Sequence, residues 1–151
     1  MPQRFHTTST NQIIQLVQSS ANAELDDMLE INRQIQRLIE NFNLGVEGSF
    51  TAGGMQGMKN FCTPAGLARM QEKYTGWKKR SIAALNLVSC DFLSFDLNTE
   101  KDLARVFTFE KWVFVREDGT ETYTEGSVDG YEMHFTDGQW RVDSVKFYAP
   151  E

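Results

Sequence analysis

The stretch SIAALNLVSCDFLSFDLNTEKDLARVFTFEKWVFVREDGTETYTEGSVDGYEMHFTDGQWRVDSVKFY, residues 81–148, decides the fold. It reads as three or four long antiparallel strands joined by explicit turns. Alternation runs through Leu103, Arg105, Phe107 and Phe109 and again through Trp112 and Phe114. Asp118-Gly119 and Asp137-Gly138 are the turn signals, because a tight type I′ hairpin needs positive φ at both central residues and Asp-Gly supplies it. Asn98–Asp102 is a polar turn ahead of the long aromatic strand at 103–116. Residues 120–136 return beside that strand, with Gly126 and Gly130 as bulge or bend points. In the last strand Trp140 and Val142 share one parity and Val145 and Phe147 the other, which predicts a bulge near Asp143-Ser144. In the first strand Leu85, Leu87, Leu93, Phe95 and Leu97 share a parity that Ser89 and Asp91 interrupt.

Before the sheet the chain reads as helix. Apolar residues recur every three or four positions from Ile14 to Phe42, and Ile14, Ala21, Met28, Ile35 and Phe42 keep a seven-residue step. That stripe predicts about 30 residues of helix, about 45 Å long. Two arrangements stay open: two helices with a break near Ser19–Asn22, both packed on the sheet, or a helix over Ile13–Leu29 that projects and pairs with another chain. The helix is expected to stop where Gly45 and Gly48 arrive. Phe50–Gly57 is then a glycine-rich connection with no phosphate-loop lysine, and Met55 and Met58 with Phe50 and Phe61 are candidates for a flap. Thr63-Pro64 signals a second helix, capped by the threonine and running through Leu67, Met70 and Tyr74 towards Trp77.

The expected division is a flexible arm at 1–10, a helical extension at 11–30 and one α+β domain at 31–151. The chain is 40% hydrophobic and 24% charged, an ordinary globular balance for one domain. Its net charge of −6 is uneven: residues 55–81 carry +5 and residues 82–151 carry −8. An acidic sheet argues against a nucleic-acid surface, and Lys78-Lys79-Arg80 suits the carbonyl end of a helix. Cys62 and Cys90 lack any pairing pattern, which fits a reducing compartment: the cytoplasm, or a soluble domain of a larger protein. No run approaches a membrane span, and two histidines exclude a histidine-rich metal centre. Neither a metal nor a cofactor is expected.

Helices first, then a bent antiparallel sheet closing on Tyr131-Glu132-Met133-His134-Phe135, Asp137-Gly138 and Gln139-Trp140-Arg141-Val142, resembles the nuclear transport factor 2-like superfamily, whose closing strand often carries DG-x-W-x-V. The resemblance covers about Ile31 to Tyr148. It implies a cone, a strongly curved antiparallel sheet wrapped around helices; the long heptad-bearing N-terminal helix departs from that pattern. Glu110-Lys111-Trp112 resembles a strand in the domain that ends chloroplast and cyanobacterial division proteins; membrane-anchored bacterial envelope proteins have a similar domain. Both branches bind or assemble. The leading expectation is therefore a non-enzymatic interaction domain that forms a homodimer or docks another protein. Its interface would use Ile14, Val17, Ala21 and Met28 on the helix and an aromatic sheet face of Trp112, Phe114, Trp140 and Phe147.

An enzymatic branch of the superfamily places an Asp or His base inside the cone, and it implies the alternative: a small-molecule binder or an isomerase- or cyclase-like enzyme. Asp91, Glu110, His134 and Asp143 are the candidates, with Asp91 foremost because it interrupts an apolar parity and a dry cone would raise its pKa. Tyr74, Trp77 and Tyr131 are the expected pocket residues.

Overall fold

A computed structural model describes residues 10–148, with side-chain surroundings from Asn22 to Phe147. The expected arm at the N-terminus lies outside the described residues except at Thr10. Helix α1 runs Thr10–Ala52 without a break, so neither the interruption near Ser19 nor the stop at Gly45 occurs. Gly45 lies inside the helix where Met58 packs over it: a Cβ there would lie 2.1 Å from the Met58 sulfur. The helix ends instead at Gly53 (φ +81°) and Gly54, whose N–H returns to the Ser49 carbonyl at 2.9 Å, a glycine C-terminal motif.

The chain forms two compact units that divide after Gln36. In the first, α1 exposes every described residue from Asn22 to Glu30, including Leu25, Met28 and Leu29. Arg33 and Glu30, 3.1 Å apart, pair on its surface.

The second unit, from Arg37, holds the sheet. Strand β1 is Ile82–Leu97, β2 Leu103–Arg116, β3 Glu121–Tyr123, β4 Ser127–Thr136 and β5 Gln139–Tyr148. All pairs are antiparallel, in the order β1-β2-β4-β5, with the short β3 also on β2. Thr124–Gly126 splits the expected long return strand in two, and Gly126 takes φ +120° at the break. Gly130 instead sits in regular register between Phe107 and Lys146. At the β4–β5 turn both Asp137 and Gly138 have positive φ, as a type I′ hairpin needs. Asp118 does not. Only Gly119 is left-handed in the β2–β3 loop, where Asp118 Oδ1 accepts from the Thr120 N–H at 2.9 Å.

Three register shifts bend β1, leaving Ala83, Val88 and Leu93 between consecutive pairs. Each bulge adds a residue on one strand, bends it and resets which face the next side chain meets. The expected bulge in β5 is present at Asp143, between the pairs Val142–Met133 and Ser144–Glu132.

One face of the sheet buries Ile82 and Leu85 from β1, Ala104, Val106, Thr108, Glu110 and Trp112 from β2, Asp129, Tyr131 and Met133 from β4, and Trp140 and Val142 from β5. Leu38, Ile39, Phe42 and Val46 bring the apolar stripe of α1 into the same core. Met55 and Met58 are also fully buried there, so they are core and not a flap. Helix α2, Pro64–Lys79, begins at the predicted cap: Thr63 accepts from the Gly66 N–H at 3.0 Å and Pro64 takes the first position. Its basic end, Lys78-Lys79-Arg80, is exposed as read.

Phe61, Thr63 and Val142 tie the start of α2 to β5 by backbone bonds of 2.8 and 3.0 Å. Gly66 sits against that junction, and a Cβ there would lie 2.2 Å from the Val142 carbonyl oxygen. Backbone held on both sides cannot yield cheaply. Gly66→Ala is expected to cost about 3 kcal/mol, the upper range for overpacking; a urea midpoint equal to wild type would contradict this packing.

Candidate functional site

A cavity of about 460 Å³ opens between the two helices and the sheet, entirely within the second unit. Phe42, Val46, Met70, Trp77, Leu85 and Phe114 make its walls mainly apolar. Glu110, Asp129, Tyr131 and Asn43 form a polar patch on it, while exposed Arg80, Glu125 and Phe147 reach it from the solvent side.

The patch follows from strand parity. Glu110 is two residues from both Thr108 and Trp112, and Asp129 two from Tyr131, so all five side chains point to the covered face. Glu110 is 1% exposed, and its two oxygens accept from several donors. Trp112 Nε1 reaches Oε1 at 2.9 Å; Thr108 Oγ1 at 2.7 Å, Tyr131 OH at 2.5 Å and the Cys90 thiol at 3.8 Å reach Oε2. That is the bonding pattern of a carboxylate. The Tyr131 hydroxyl also lies 3.2 Å from Asn43 Oδ1, which ties the patch to α1.

Asp129, also 1% exposed, is hydrogen-bonded to Glu110 and accepts from Ser127 at 2.9 Å. Burial, and then the adjacent Glu110, push its pKa up to about 8. Two carboxyl groups side by side in a dry site keep one proton between them. Burial and Glu110 also raise Tyr131 well above the usual phenol value and push the Cys90 thiol up to about 12. Burial alone does the same for Cys62. The arrangement offers a proton near neutrality, a hydroxyl and an apolar chamber.

Asp91 is not in this site. The bulge at Val88 resets the parity of β1, so Cys90 faces Glu110 and Asp91 is exposed. Of the expected pocket residues, Trp77 and Tyr131 line the cavity, while Tyr74 is buried against Phe50, ring centroids 5.3 Å apart. The four sheet aromatics do not form an outer patch. Trp112 and Phe114 line the cavity, Trp140 is buried with Phe135 packed edge-on at 5.3 Å, and Phe147 is half-exposed at the cavity. Met28 is exposed, 42%, on α1. The side chains of Ile14, Val17 and Ala21 lie outside the described residues.

Glu132, His134 and Asp143 are the one group among the described residues whose ligand atoms could converge on a metal ion. Charged neighbours already occupy them: Arg69 lies 3.3 Å from Asp143 and Arg105 3.6 Å from Glu132. Burial opposes it, but the Thr63 hydroxyl, His134 and Arg69 together hold the Asp143 pKa below its ordinary value. The cluster is an ion-pair network on the β4–β5 edge. Glu110 stood behind Asp91 among the candidates from sequence and Asp129 was not among them; a charged residue on the core parity of a strand was the available signal for both.

A curved antiparallel sheet holding helices against one face, with a polar patch inside, defines the nuclear transport factor 2-like fold, and this chain has it. It is similar to a nuclear transport factor 2-like superfamily protein of Salmonella enterica, with a TM-score of 0.62 and 14% identity over 82% of this chain and 94% of that one. The intermembrane-space region of the chloroplast protein ARC6 superposes with a TM-score of 0.58 and 10% identity, over 76% and 96%. A protein of the same fold from Novosphingobium aromaticivorans gives 0.54 and 17%, over 85% and 87%. No family model and no curated protein matches the sequence. Among the described residues, no helix is long and apolar enough to cross a membrane.

Proposed function

We propose that the domain binds a small, largely apolar molecule in its cavity and sets a carbonyl or hydroxyl of that molecule against the Asp129–Glu110–Tyr131 patch. The observation that carries this reading is the pair of buried carboxyl groups on the wall of an apolar cavity of about 460 Å³. That size suits a compact organic ligand. Burying two acids destabilises the fold, and a ligand-directed role accounts for their position on the cavity wall. With its proton held near neutrality, Asp129 is suited to acid–base work in the bound complex.

The test uses naphthol as probe. It is expected to bind saturably, to quench tryptophan fluorescence and to stabilise the fold by roughly 2.7 kcal/mol at a hundredfold excess over Kd. Val46→Trp, which fills the cavity, should remove both effects. Absence of saturable binding in the wild-type protein would refute the reading.

Assembly is a second reading, supported by Leu25, Met28 and Leu29, exposed on a helix whose sequence carries a seven-residue apolar step. It takes the domain as a homodimer formed through α1, in a reducing cytoplasmic setting that suits two free thiols. Light scattering on the full chain and on a version beginning at Asp26 tests it. A dimer that becomes a monomer on truncation is expected; two monomers would eliminate self-assembly.

A further inference from the structure

Lys73 is a cavity residue that the acid–base reading leaves unused. It lies on α2 between Met70 and Trp77, one turn from each, so all three face the same chamber. Among the described residues no other lysine lines that chamber. The side chain is half-buried: its Nζ donates to the Val145 carbonyl at 3.3 Å and lies 4.2 Å from the Phe147 ring centroid.

We propose that Lys73 is an amine nucleophile that captures an aldehyde or ketone in the cavity as an imine, with the Asp129 carboxyl group moving the protons. This deepens the small-molecule reading and rests on it.

Three features support the assignment. Burial lowers the pKa of the Lys73 ammonium, and the charges of Asp129 and Glu110 only partly offset that, which enriches the free amine. Desolvation of a lysine beside apolar walls is a recognised route to a nucleophilic amine. Asp129 lines the same cavity and holds a proton at neutral pH. Finally, Met70 and Trp77 flank Lys73 on the same helix face and keep the chamber wall beside it apolar.

The chemistry balances without a redox partner. The Nζ lone pair forms the C–N bond as the carbonyl π bond breaks, and the oxygen takes the proton of the Asp129 carboxyl. The nitrogen then returns a proton to Asp129, leaving a neutral carbinolamine. Asp129 protonates the carbinolamine hydroxyl, water departs, and the nitrogen lone pair forms the C=N bond. The resulting iminium carries a positive charge in the chamber that Asp129 and Glu110 also line, and their negative charge stabilises it.

Incubation of the full chain with naphthaldehyde and cyanoborohydride, followed by peptide mass mapping, tests the step. A naphthylmethyl group on Lys73, formed faster than on any other lysine, is expected. Lys73→Arg should lose that label while still binding naphthylmethanol, which fills the cavity but cannot form an imine. Asp129→Asn should slow labelling by about 100-fold, the lower range of general acid–base catalysis. Label spread evenly over surface lysines overturns the proposal. Naphthylmethanol binding without Lys73 labelling overturns it while leaving the cavity reading intact; failure of both probes removes both readings.

Discussion

Glu110→Ala is expected to destabilise the protein by about 3–5 kcal/mol, the cost of breaking a buried polar network by removing one member. The substitution strands the Thr108 and Trp112 donors and the weaker Cys90 thiol, while the Tyr131 hydroxyl keeps Asn43 Oδ1 at 3.2 Å. A buried donor left without an acceptor costs about 1–3 kcal/mol. One effect opposes this: Ala also removes the negative charge beside Asp129. That gain is small, because the proton on Asp129 already relieves the repulsion. A domain's whole stability is only about 5–15 kcal/mol, so the variant should lose a large part of it. Glu110→Gln, which keeps an acceptor oxygen and the shape, should cost less than half as much. Urea unfolding followed by far-UV circular dichroism measures both, and an Ala variant within about 1 kcal/mol of wild type would show that the cluster does not depend on Glu110.

Asp129→Asn should remove most of the fall in stability that this group imposes as pH rises. The folded-state pKa of Asp129 is about 8, far above the ordinary carboxylate value. The folded protein therefore binds more protons than the unfolded chain from about pH 4 to pH 8. Its favourable contribution is complete below the unfolded value and is lost as pH rises through the folded one. Wild type should lose on the order of 3 kcal/mol between pH 5 and pH 8 from this group alone. Asparagine keeps a donor towards Glu110 and does not titrate. The variant should match wild type near about pH 4 and exceed it by a growing margin towards about pH 8, with other groups cancelling in the difference. Denaturant midpoints measured across that range decide it, and parallel profiles would mean that Asp129 is ionised throughout.

How far the sequence disclosed this arrangement depends on which rule governed each residue. Asp137-Gly138 was legible because a two-residue turn constrains φ locally; Asp118-Gly119, the same pair, sits in a longer loop where Asp118 keeps negative φ. The change of parity between Val142 and Val145 announced the β5 bulge, since that strand carries only one. In β1 three shifts overlay one another, and a reading that assumed unbroken alternation placed Asp91 inside. The glycines at 45 and 48 looked like a helix end, whereas at Gly45 the cause is the approach of Met58, a contact distant in sequence. Glu110 and Asp129 were within reach of strand parity, because each lies two residues from a neighbour on the covered face, Trp112 or Tyr131. The polar residue at a core position carried the information, and the apolar pattern concealed it.

The three bulges of β1 also bear on how this protein can change over evolutionary time. Each leaves one residue outside the pairing with β2 and preserves the register on either side. Loss of Val88 or Leu93 would therefore flatten the strand locally while every flanking side chain kept its face, whereas loss of a paired residue would invert the rest of the strand. Glu47 marks one of these addresses, accepting the Leu87 N–H at 2.8 Å beside the second shift. Single-codon insertions and deletions at these points would adjust the bend of β1 step by step while the buried face of the sheet stays as it is.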